Sequence, residues 1–201
     1  MKVNSSQEMN NAPSRTSLQA EIIEEALPRL IEGEKIHERF FWLGLFTCRI
    51  RNWVESFVKS HWGSEIVVAK GRVIRPAELD GFAAFNGKEP VCLVTYRIEG
   101  PDCEIVTIDS NSEREGIGTS LIDAAKGRAK AKGCRKLWLV TTNDNLNALG
   151  FYQRRGFRLT ALYPNALEAS RKLKPEISMK GGNDIPIRDE LELELNLAES
   201  E

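Results

Sequence analysis

The sequence of 201 residues contains few of the residue types that build metal centres or disulfide frameworks. It has four cysteines with no Cys-x-x-Cys pair, and its only histidines are His37 and His61. A zinc site is therefore not expected, because such sites combine closely spaced Cys and His ligands. Three of the four cysteines lie in or beside apolar strand patterns, which predicts small buried thiols.

The sequence also lacks a strong charge of either sign and a long hydrophobic run. The formal net charge is −1, so no global electrostatic field would recruit nucleic acid. The longest apolar run, residues 40–46, is far shorter than the ~20 residues that span a bilayer. Reduced thiols and the lack of a secretory leader predict a cytoplasmic protein. Neither nucleic acid nor a membrane is expected as a partner.

The chain divides into a tail, a helical extension and one larger domain. Residues 1–17 are rich in Ser and Asn and have no apolar period, which indicates a disordered tail. Residues 18–38 are predicted to be a helical extension, since apolar residues recur among glutamates at helical spacing, interrupted by Pro28. This helix could bind a partner, but core packing is the commoner role of such a stripe. The domain is predicted to cover residues 39–197, and residues 198–201 are a terminal tail.

An antiparallel meander is predicted in the first half of the domain. Residues 65–74 are expected to form one strand, which a proline ends. The apolar segments 81–85 and 91–98 flank Asn86 and Gly87, a pair suited to the positive φ angles of a tight hairpin turn. This meander would lead into the next strand, which begins at Cys103.

The centre of the domain, from Cys103 to Phe157, has the pattern strand, glycine turn, helix, strand and short helix. The strand-helix-strand unit predicts a right-handed crossover and parallel pairing. An apolar strand that runs into Gly116 and Gly118 before a helix is a recurring way to hold a phosphate. The glycines let the backbone approach the anion, and the first N–H groups of the helix point at it. Alone, such a turn is also a common connector.

The two ends of the domain are less clearly patterned. Residues 39–50 fit a strand but are also compatible with a buried helix. The last strand is predicted within residues 185–197, where a Leu-Glu-Leu-Glu-Leu run indicates one buried and one solvent-facing side. Asp189 and Glu190 at its start could help to attract a cationic amine.

Two motifs of the central stretch resemble those of the GNAT superfamily of acyl-CoA N-acyltransferases. The first is a Gln/Arg-x-x-Gly-x-Gly/Ala turn, for which the chain has Gly116 and Gly118 but Glu113 at the first position. The second is Asn-x-x-Ala-x-x-Phe-Tyr-x-x-x-Gly-Phe, matched by Asn145, Ala148, Phe151, Tyr152, Gly156 and Phe157. The resemblance covers roughly residues 53–197. It implies an α/β fold with a mixed, mostly antiparallel sheet and helices on both sides, preceded here by the helical extension.

The resemblance further implies acetyl-CoA as the cosubstrate, without a metal. Its pyrophosphate would lie on backbone N–H groups of the turn, and Arg114 would add positive charge. Glu113 beside it would oppose an anion unless it pointed to solvent. The residues implied in cofactor binding are Thr107, Ile108, Arg114, Glu115, Gly116, Ile117, Gly118, Thr119, Asn145 and Tyr152. Thr107 or Ile108 would offer the thioester carbonyl a backbone N–H, and Asn145 would cap the motif helix as well.

Two side chains are implied to move protons. Tyr152 would protonate the sulfur of coenzyme A, because a phenol with a pKa near ~10 can donate to a forming thiolate with a pKa of roughly 8.5. The alternative role of Tyr152 is aromatic packing. Glu104 is the predicted general base, acting directly or through water, with Asp109 as its rival and a solvated strand carboxylate as the alternative. No cysteine is placed as a nucleophile, so no acyl-enzyme is predicted.

The function that these features imply is transfer of an acetyl group from acetyl-CoA to a primary amine by direct attack in a ternary complex. A first alternative is a non-catalytic CoA-binding module with a regulatory or partner-binding role. A second is a generic nucleotide-binding α/β protein, against which the second motif argues. The acceptor could be a small molecule or a peptide amine. The acyl chain length, the role of the extension and the choice between monomer and homodimer are left open.

Overall fold

The computed structural model describes residues 35–37, 40–43, 51–86, 89–110 and 116–198. The strands in these ranges are β1 (Lys35–His37), β2 (Phe40–Leu43), β3 (Val67–Ala69), β4 (Arg72–Ile74), β5 (Asp80–Asn86), β6 (Glu89–Glu99), β7 (Asp102–Ser110), β8 (Lys136–Thr142), β9 (Arg158–Tyr163) and β10 (Glu190–Asn196). The α-helices are α1 (Arg51–Trp62), α2 (Ile117–Ala131), α3 (Leu146–Gln153) and α4 (Ala166–Leu173).

The described residues include only part of the segments predicted for the N-terminal end of the chain. The predicted disordered tail, residues 1–17, lies outside them, as does nearly all of the predicted extension, residues 18–38. The last residues of that extension form β1, which pairs with β2, so the sheet begins inside the predicted helical segment. In the ambiguous segment 39–50, the described residues form the strand β2.

Eight of the strands form one sheet in the order β1-β2-β5-β6-β7-β8-β10-β9. All neighbours are antiparallel except β7 and β8, which are parallel and are joined by α2. The predicted mixed, mostly antiparallel sheet is therefore confirmed, and so is the parallel strand-helix-strand unit. β3 and β4 form a separate two-stranded sheet.

Helices cover both faces of the sheet because successive side chains of a strand point to opposite sides. On one face, Val94 belongs to a core that includes Leu121 of α2 and the three described cysteines, which are buried and free as predicted. On the other face, the adjacent Leu93 packs against Phe57 and Val58 of α1. A fully buried leucine stabilises the fold by about 1.5–3 kcal/mol. Because Leu121 and Leu93 are buried on opposite faces, α2 stabilises one face of the sheet and α1 the other.

The single strand predicted for residues 65–74 is wrong. The segment is a hairpin in which β3 and β4 pair on either side of Lys70 and Gly71, whose φ angles are 51° and 68°. Positive φ at both central residues is typical of the two-residue turns that suit the twist of a hairpin. A glycine inside a strand pattern is the signal that indicated this turn.

The solvent-facing side predicted for the last strand is also wrong. Glu190 and Glu192 of β10 are only 2% and 8% exposed. The β3–β4 hairpin and α4 cover this face, since the Lys70 backbone N–H donates to Glu190 Oε2 at 2.9 Å and the Ser170 hydroxyl contacts Glu190 Oε1 at 3.4 Å. The alternation of Leu and Glu is real, but both sides of the strand are buried.

Candidate active site

The parallel strands β7 and β8 separate part of the way along the sheet. They pair from Asp102 and Lys136 to Ile105 and Leu139, and both strands then continue without pairing to each other. Strands that part in this way leave backbone N–H and C=O groups facing the gap, where a ligand can satisfy them. We refer to this point as the β7–β8 split.

A β-bulge lies at the same point of β7. Thr107 pairs with Thr95, whereas Ile105 pairs with Tyr96, which leaves Val106 as an extra residue on β7. A bulge bends its strand and increases the local twist. The bulge therefore accounts for the departure of β7 from β8 immediately after the last paired residues.

A cleft of about 690 Å³ lies at the split, between the end of β7, the start of α2 and the helix α3. The predicted site residues that line it are Ile108, Gly116, Ile117, Gly118, Thr119 and Tyr152. Arg114 and Glu115, which were predicted to bind the pyrophosphate, lie outside the described residues. The cleft is thus built by the two motifs of the sequence.

The glycine turn brings the N-terminus of α2 to this cleft. Gly116 has a φ of 77°, a left-handed conformation that glycine adopts without a steric cost. The N–H groups of Thr119 and Ser120 donate to the Gly116 carbonyl oxygen at 3.0 and 3.2 Å, so the helix begins here with its positive dipole end at the cleft. A Cβ on Gly118 would come within 3.2 Å of Phe151 Cζ. The lack of a side chain at Gly118 therefore keeps α2 and α3 close.

Arg155 is a site residue that the sequence reasoning missed. It lines the cleft, and its guanidinium lies 3.5 Å from the centre of the Phe151 ring. Arg155 also donates from Nε to Thr119 Oγ1 at 3.1 Å and from its terminal nitrogens to Thr119 and to the Phe151 carbonyl oxygen. A fixed guanidinium beside a helix N-terminus suits a phosphate. The second motif leaves this position unspecified, so only the structure identifies it.

Tyr152 lines the cleft with a side chain that is only 7% exposed. Its ring packs edge-on against Phe151, with 5.3 Å between centroids, and at a tilt against Phe157, with 5.7 Å between centroids. Burial raises the pKa of the phenol, the Asp109 carboxylate raises it further, and Arg155 lowers it. The phenol is therefore a proton donor at neutral pH. Tyr152 thus packs between two aromatic rings and also lines the cleft, and its catalytic role stays a prediction.

Asp109, the rival candidate for the general base, also lines the cleft. The Trp62 indole N–H donates to Asp109 Oδ2 at 2.7 Å, which ties the end of α1 to the end of β7. Burial raises the pKa of Asp109, and the Trp62 hydrogen bond and the charge of His61 lower it. Asp109 is therefore fixed close to the start of the glycine turn.

Glu104, the predicted base, lies nearer the closed end of the split and is 3% exposed. Arg97 Nε donates to its Oε2 at 2.6 Å, and the Arg72 guanidinium lies 3.5 Å from the same oxygen. Burial raises the pKa of Glu104, and both arginines lower it. With Trp138 and Glu192, Glu104 lines a second cavity of about 220 Å³ on the side of the β3–β4 hairpin. We call this space the hairpin cavity.

The remaining predicted residues lie beside the cleft. The Thr107 hydroxyl is 2.9 Å from that of Thr95 and is buried. Asn145 caps α3, because its Oδ1 accepts a hydrogen bond from the Ala148 N–H at 3.2 Å. The capping role is confirmed, whereas a contact of Asn145 with a cofactor stays a prediction.

None of the helices in the described ranges combines the length and the apolar character that a membrane span requires. In the same ranges, no three His, Cys, Asp or Glu side chains lie together in a way that could hold a metal ion.

Comparisons with known proteins identify the family. Residues 45–157 match the family model described as Acetyltransferase (GNAT) family. The relative named uncharacterized protein YdhI, from Bacillus subtilis (strain 168), is 44% identical over 142 residues, which are 70% of this chain and 89% of that protein.

Solved structures share the fold. A GNAT family acetyltransferase from Elizabethkingia anophelis with acetyl-CoA bound has a TM-score of 0.52 and 24% identity, over 59% of this chain and 76% of that one. A Bacillus subtilis acetyltransferase in complex with CoA has a TM-score of 0.53 and 19% identity, over 79% of this chain and 97% of that one. With the fold and the family match in agreement, the chain belongs to the GNAT family of acetyltransferases.

Proposed function

We propose that the protein transfers an acetyl group from acetyl-CoA to a primary amine by direct attack of the amine in a ternary complex. The observation that carries this proposal is the β7–β8 split. The cleft lies at this split on the side of α2 and α3. The hairpin cavity lies on the other side of the sheet, near the end of the split where β7 and β8 are still paired. Two substrates can therefore approach one point of the sheet from different directions.

The cleft fits acetyl-CoA by its donors and its shape. The N-terminus of α2 and the Arg155 guanidinium offer hydrogen bonds and positive charge to a diphosphate, and the predicted Arg114 would add to them. Gly118 lets α3 pack close to the start of α2 and so shapes this end of the cleft. The unpaired edge of β7 after Ile105 offers N–H and C=O groups to the amides of a pantetheine chain. The bound acetyl-CoA and CoA of the two structural neighbours support the same ligand.

The residues of the chain would supply the chemistry in one addition and one elimination. The amine nitrogen forms a bond to the acetyl carbon, and the bond from that carbon to sulfur breaks. Glu104 takes a proton from the amine, Tyr152 gives one to the departing sulfur, and a backbone N–H of Thr107 or Ile108 stabilises the carbonyl oxygen. Starting from an ammonium, the products are an amide, coenzyme A as a thiol and one proton released to solvent.

The raised pKa of Tyr152 is compatible with its role as the acid. A buried phenol donates less readily than one in water, but burial also raises the pKa of a thiolate that forms beside it. Since the proton moves between these two groups, the difference between their pKa values matters more than either value alone. A cleft that excludes water shifts both in the same direction.

We assign the base to Glu104 rather than to Asp109. Glu104 lies in the hairpin cavity, where neighbouring carboxylates suit an ammonium substrate, and burial raises its pKa and so makes it a better proton acceptor. Asp109 is held by Trp62 at the end where the glycine turn begins. Comparison of Glu104→Gln with Asp109→Asn tests the assignment, because only loss of the base should remove the rise of kcat/KM with pH.

The proposed function is tested by release of free thiol from acetyl-CoA in the presence of a panel of primary amines. Mass spectrometry should find the acetyl group on the amine. A non-catalytic CoA-binding module would bind acetyl-CoA in calorimetry but release no thiol above the rate of hydrolysis. Absence of acetyl-CoA binding would contradict both functions.

A further inference from the structure

The hairpin cavity contains an ammonium group of the protein's own. Lys70 Nζ donates to Glu192 Oε2 at 2.7 Å and lies 5.0 Å from the ring centre of Trp138 and 4.7 Å from that of Tyr163. The Tyr163 hydroxyl donates to the same carboxylate oxygen at 2.7 Å. Two aromatic rings and a carboxylate are the groups that recognise ammonium cations. We call Trp138, Tyr163 and Glu192 the ammonium cage.

The backbone at Lys70 is held in an unusual conformation to reach the cage. Its φ of 51° lies in the left-handed region, where a lysine is uncommon and the first turn position favours Asn, Asp or Gly. The Lys70 N–H also donates to Glu190 Oε2 at 2.9 Å. Strain of this kind persists where the surroundings fix it and is frequent at ligand sites. The turn is therefore fastened to β10 by both its backbone and its ammonium.

A second cation of the same hairpin reaches the proposed base. The Arg72 guanidinium lies 3.5 Å from Glu104 Oε2 and is itself partly exposed. The hairpin thus places one cation at Glu192 and another at Glu104. These two carboxylates would lose a cationic partner if the hairpin moved away.

The charges around the hairpin cavity also favour a cationic guest. Four carboxylates line it, those of Glu99, Asp102, Glu104 and Glu192, against three cations, those of Lys70, Arg97 and Lys136. Arg72 reaches Glu104 and Glu99 from outside this lining, so four cations match the four carboxylates, and without Lys70 three would remain. A guest with positive charge would restore the balance that Lys70 supplies.

The hairpin is a small unit of its own. Its strands have three residues each and form a sheet separate from the main one. A two-stranded hairpin is only marginally stable by itself, so its position depends on the contacts that it makes with the rest of the protein.

A nitrogen held as an ammonium has no free electron pair and cannot attack a thioester. We propose that the hairpin occupies the acceptor subsite as an internal surrogate and that the acceptor is a flexible aliphatic diamine or polyamine. One ammonium of the acceptor replaces that of Lys70 in the cage. The second nitrogen reaches Glu104, loses a proton and is acetylated. This inference rests on the proposed function and adds the substrate class to it.

The test compares putrescine with butylamine, which carries only one nitrogen on a four-carbon chain. Thiol release and calorimetry are measured for the full chain, for Lys70→Met and for Lys70→Met with Glu192→Gln. Lys180→Met is the matched control, since the Lys180 side chain is exposed and its ammonium pairs only with Asp184 among the described residues. Thermal unfolding of each variant reports whether it is folded.

We expect Lys70→Met to lower the KM for putrescine about tenfold or more, because the guest no longer competes with a resident ammonium. Adding Glu192→Gln should abolish this gain, since the cage then lacks its negative charge. The KM for butylamine should change less than about threefold in either variant. Lys180→Met should behave as the unchanged chain does. Calorimetry without acetyl-CoA should show the same order of putrescine affinities.

Three results would overturn the inference. The first is a putrescine affinity that Lys70→Met leaves unchanged in a folded protein, and the second is a gain that persists after Glu192→Gln. The third is tighter binding of putrescine to Lys70→Met without a lower KM, which would show that the cage is not part of the acceptor subsite. Failure of every amine to release thiol would instead refute the proposed function, and the calorimetry would still report whether the cage binds ammonium.

Discussion

The substitution Tyr152→Phe removes one hydroxyl group and keeps the aromatic ring. The ring contacts with Phe151 and Phe157, at 5.3 and 5.7 Å, remain available to phenylalanine. The pKa of the phenol is set by burial and by neighbouring charges. We therefore expect the free energy of unfolding to change by no more than about 1 kcal/mol, the contribution of a typical hydrogen-bonding group. Tyr152→Ala is unsuitable, because loss of a buried ring costs about 3–5 kcal/mol.

The expected effect on catalysis is much larger. A positioned general acid contributes about 100-fold to 10,000-fold, which corresponds to about 3–5 kcal/mol of the barrier. We expect kcat to fall by this factor, because the departing thiolate would have to take its proton from water. The affinity for acetyl-CoA should stay within about threefold, since the hydroxyl acts on the sulfur only as the bond breaks.

The assay is free-thiol release under saturating acetyl-CoA, with the dissociation constant of acetyl-CoA measured separately by calorimetry. Tyr96→Phe is the matched control. Tyr96 is also a buried tyrosine, with a pKa raised to about 12 by burial and by the charge of Asp80, and it stacks on Phe82 away from the cleft lining. Its variant should retain the kcat of the unchanged chain.

One result would refute the reasoning about Tyr152. If Tyr152→Phe is folded, binds acetyl-CoA and turns over within about threefold of the unchanged chain, no proton from the phenol is needed. The buried ring would then be a packing residue, and a water molecule or another group would protonate the sulfur.

Three further perturbations test the cleft and its charges. Gly118→Ala should raise the acetyl-CoA dissociation constant about fivefold or more, because the new Cβ would lie 3.2 Å from Phe151 Cζ and force the ring to shift; calorimetry measures it. Arg155→Met should raise the same constant about tenfold at low salt and less at high salt. Above pH ~10, the free energy of unfolding should fall as pH rises, because the Tyr152 phenol ionises there in the unfolded chain, whereas its raised pKa keeps it protonated in the folded protein. Thermal unfolding should show a shallower fall for Tyr152→Phe.

The sequence predicted the cleft well because its walls are local. β7, α2, β8 and α3 follow one another between Asp102 and Gln153, and both motifs lie on the connections between them. Glycine spacing, helix periodicity and the crossover rule act over such short distances. The positions of Gly118 and Tyr152 in one cleft follow from these local features.

The hairpin cavity could not be predicted in the same way. Lys70 and Glu192 are 122 residues apart in the chain, and no local pattern indicates that they meet. The alternation in β10 is typical of a strand with a solvent-facing row of glutamates, but contacts with the distant hairpin bury Glu190 and Glu192. Burial of a charged residue depends on partners that come from distant segments.

A single extra residue determines which side chains of β7 face the hairpin and α1. Without a bulge, strict alternation would place Asp109 on the same side as Ile105, in the core under α2. The extra Val106 reverses the alternation. Glu104 pairs with Arg97 and Thr107 with Thr95 on the face that carries Leu93, so Asp109 joins that face and meets Trp62 of α1.

The same bulge therefore does two things at one point of the strand. It turns β7 away from β8, which opens the cleft, and it brings Asp109 to the face of the sheet on which Glu104 already lies. Because one extra residue both parts the strands and turns Asp109 to the face of Glu104, the cleft and the proposed acceptor side depend on the same feature of β7.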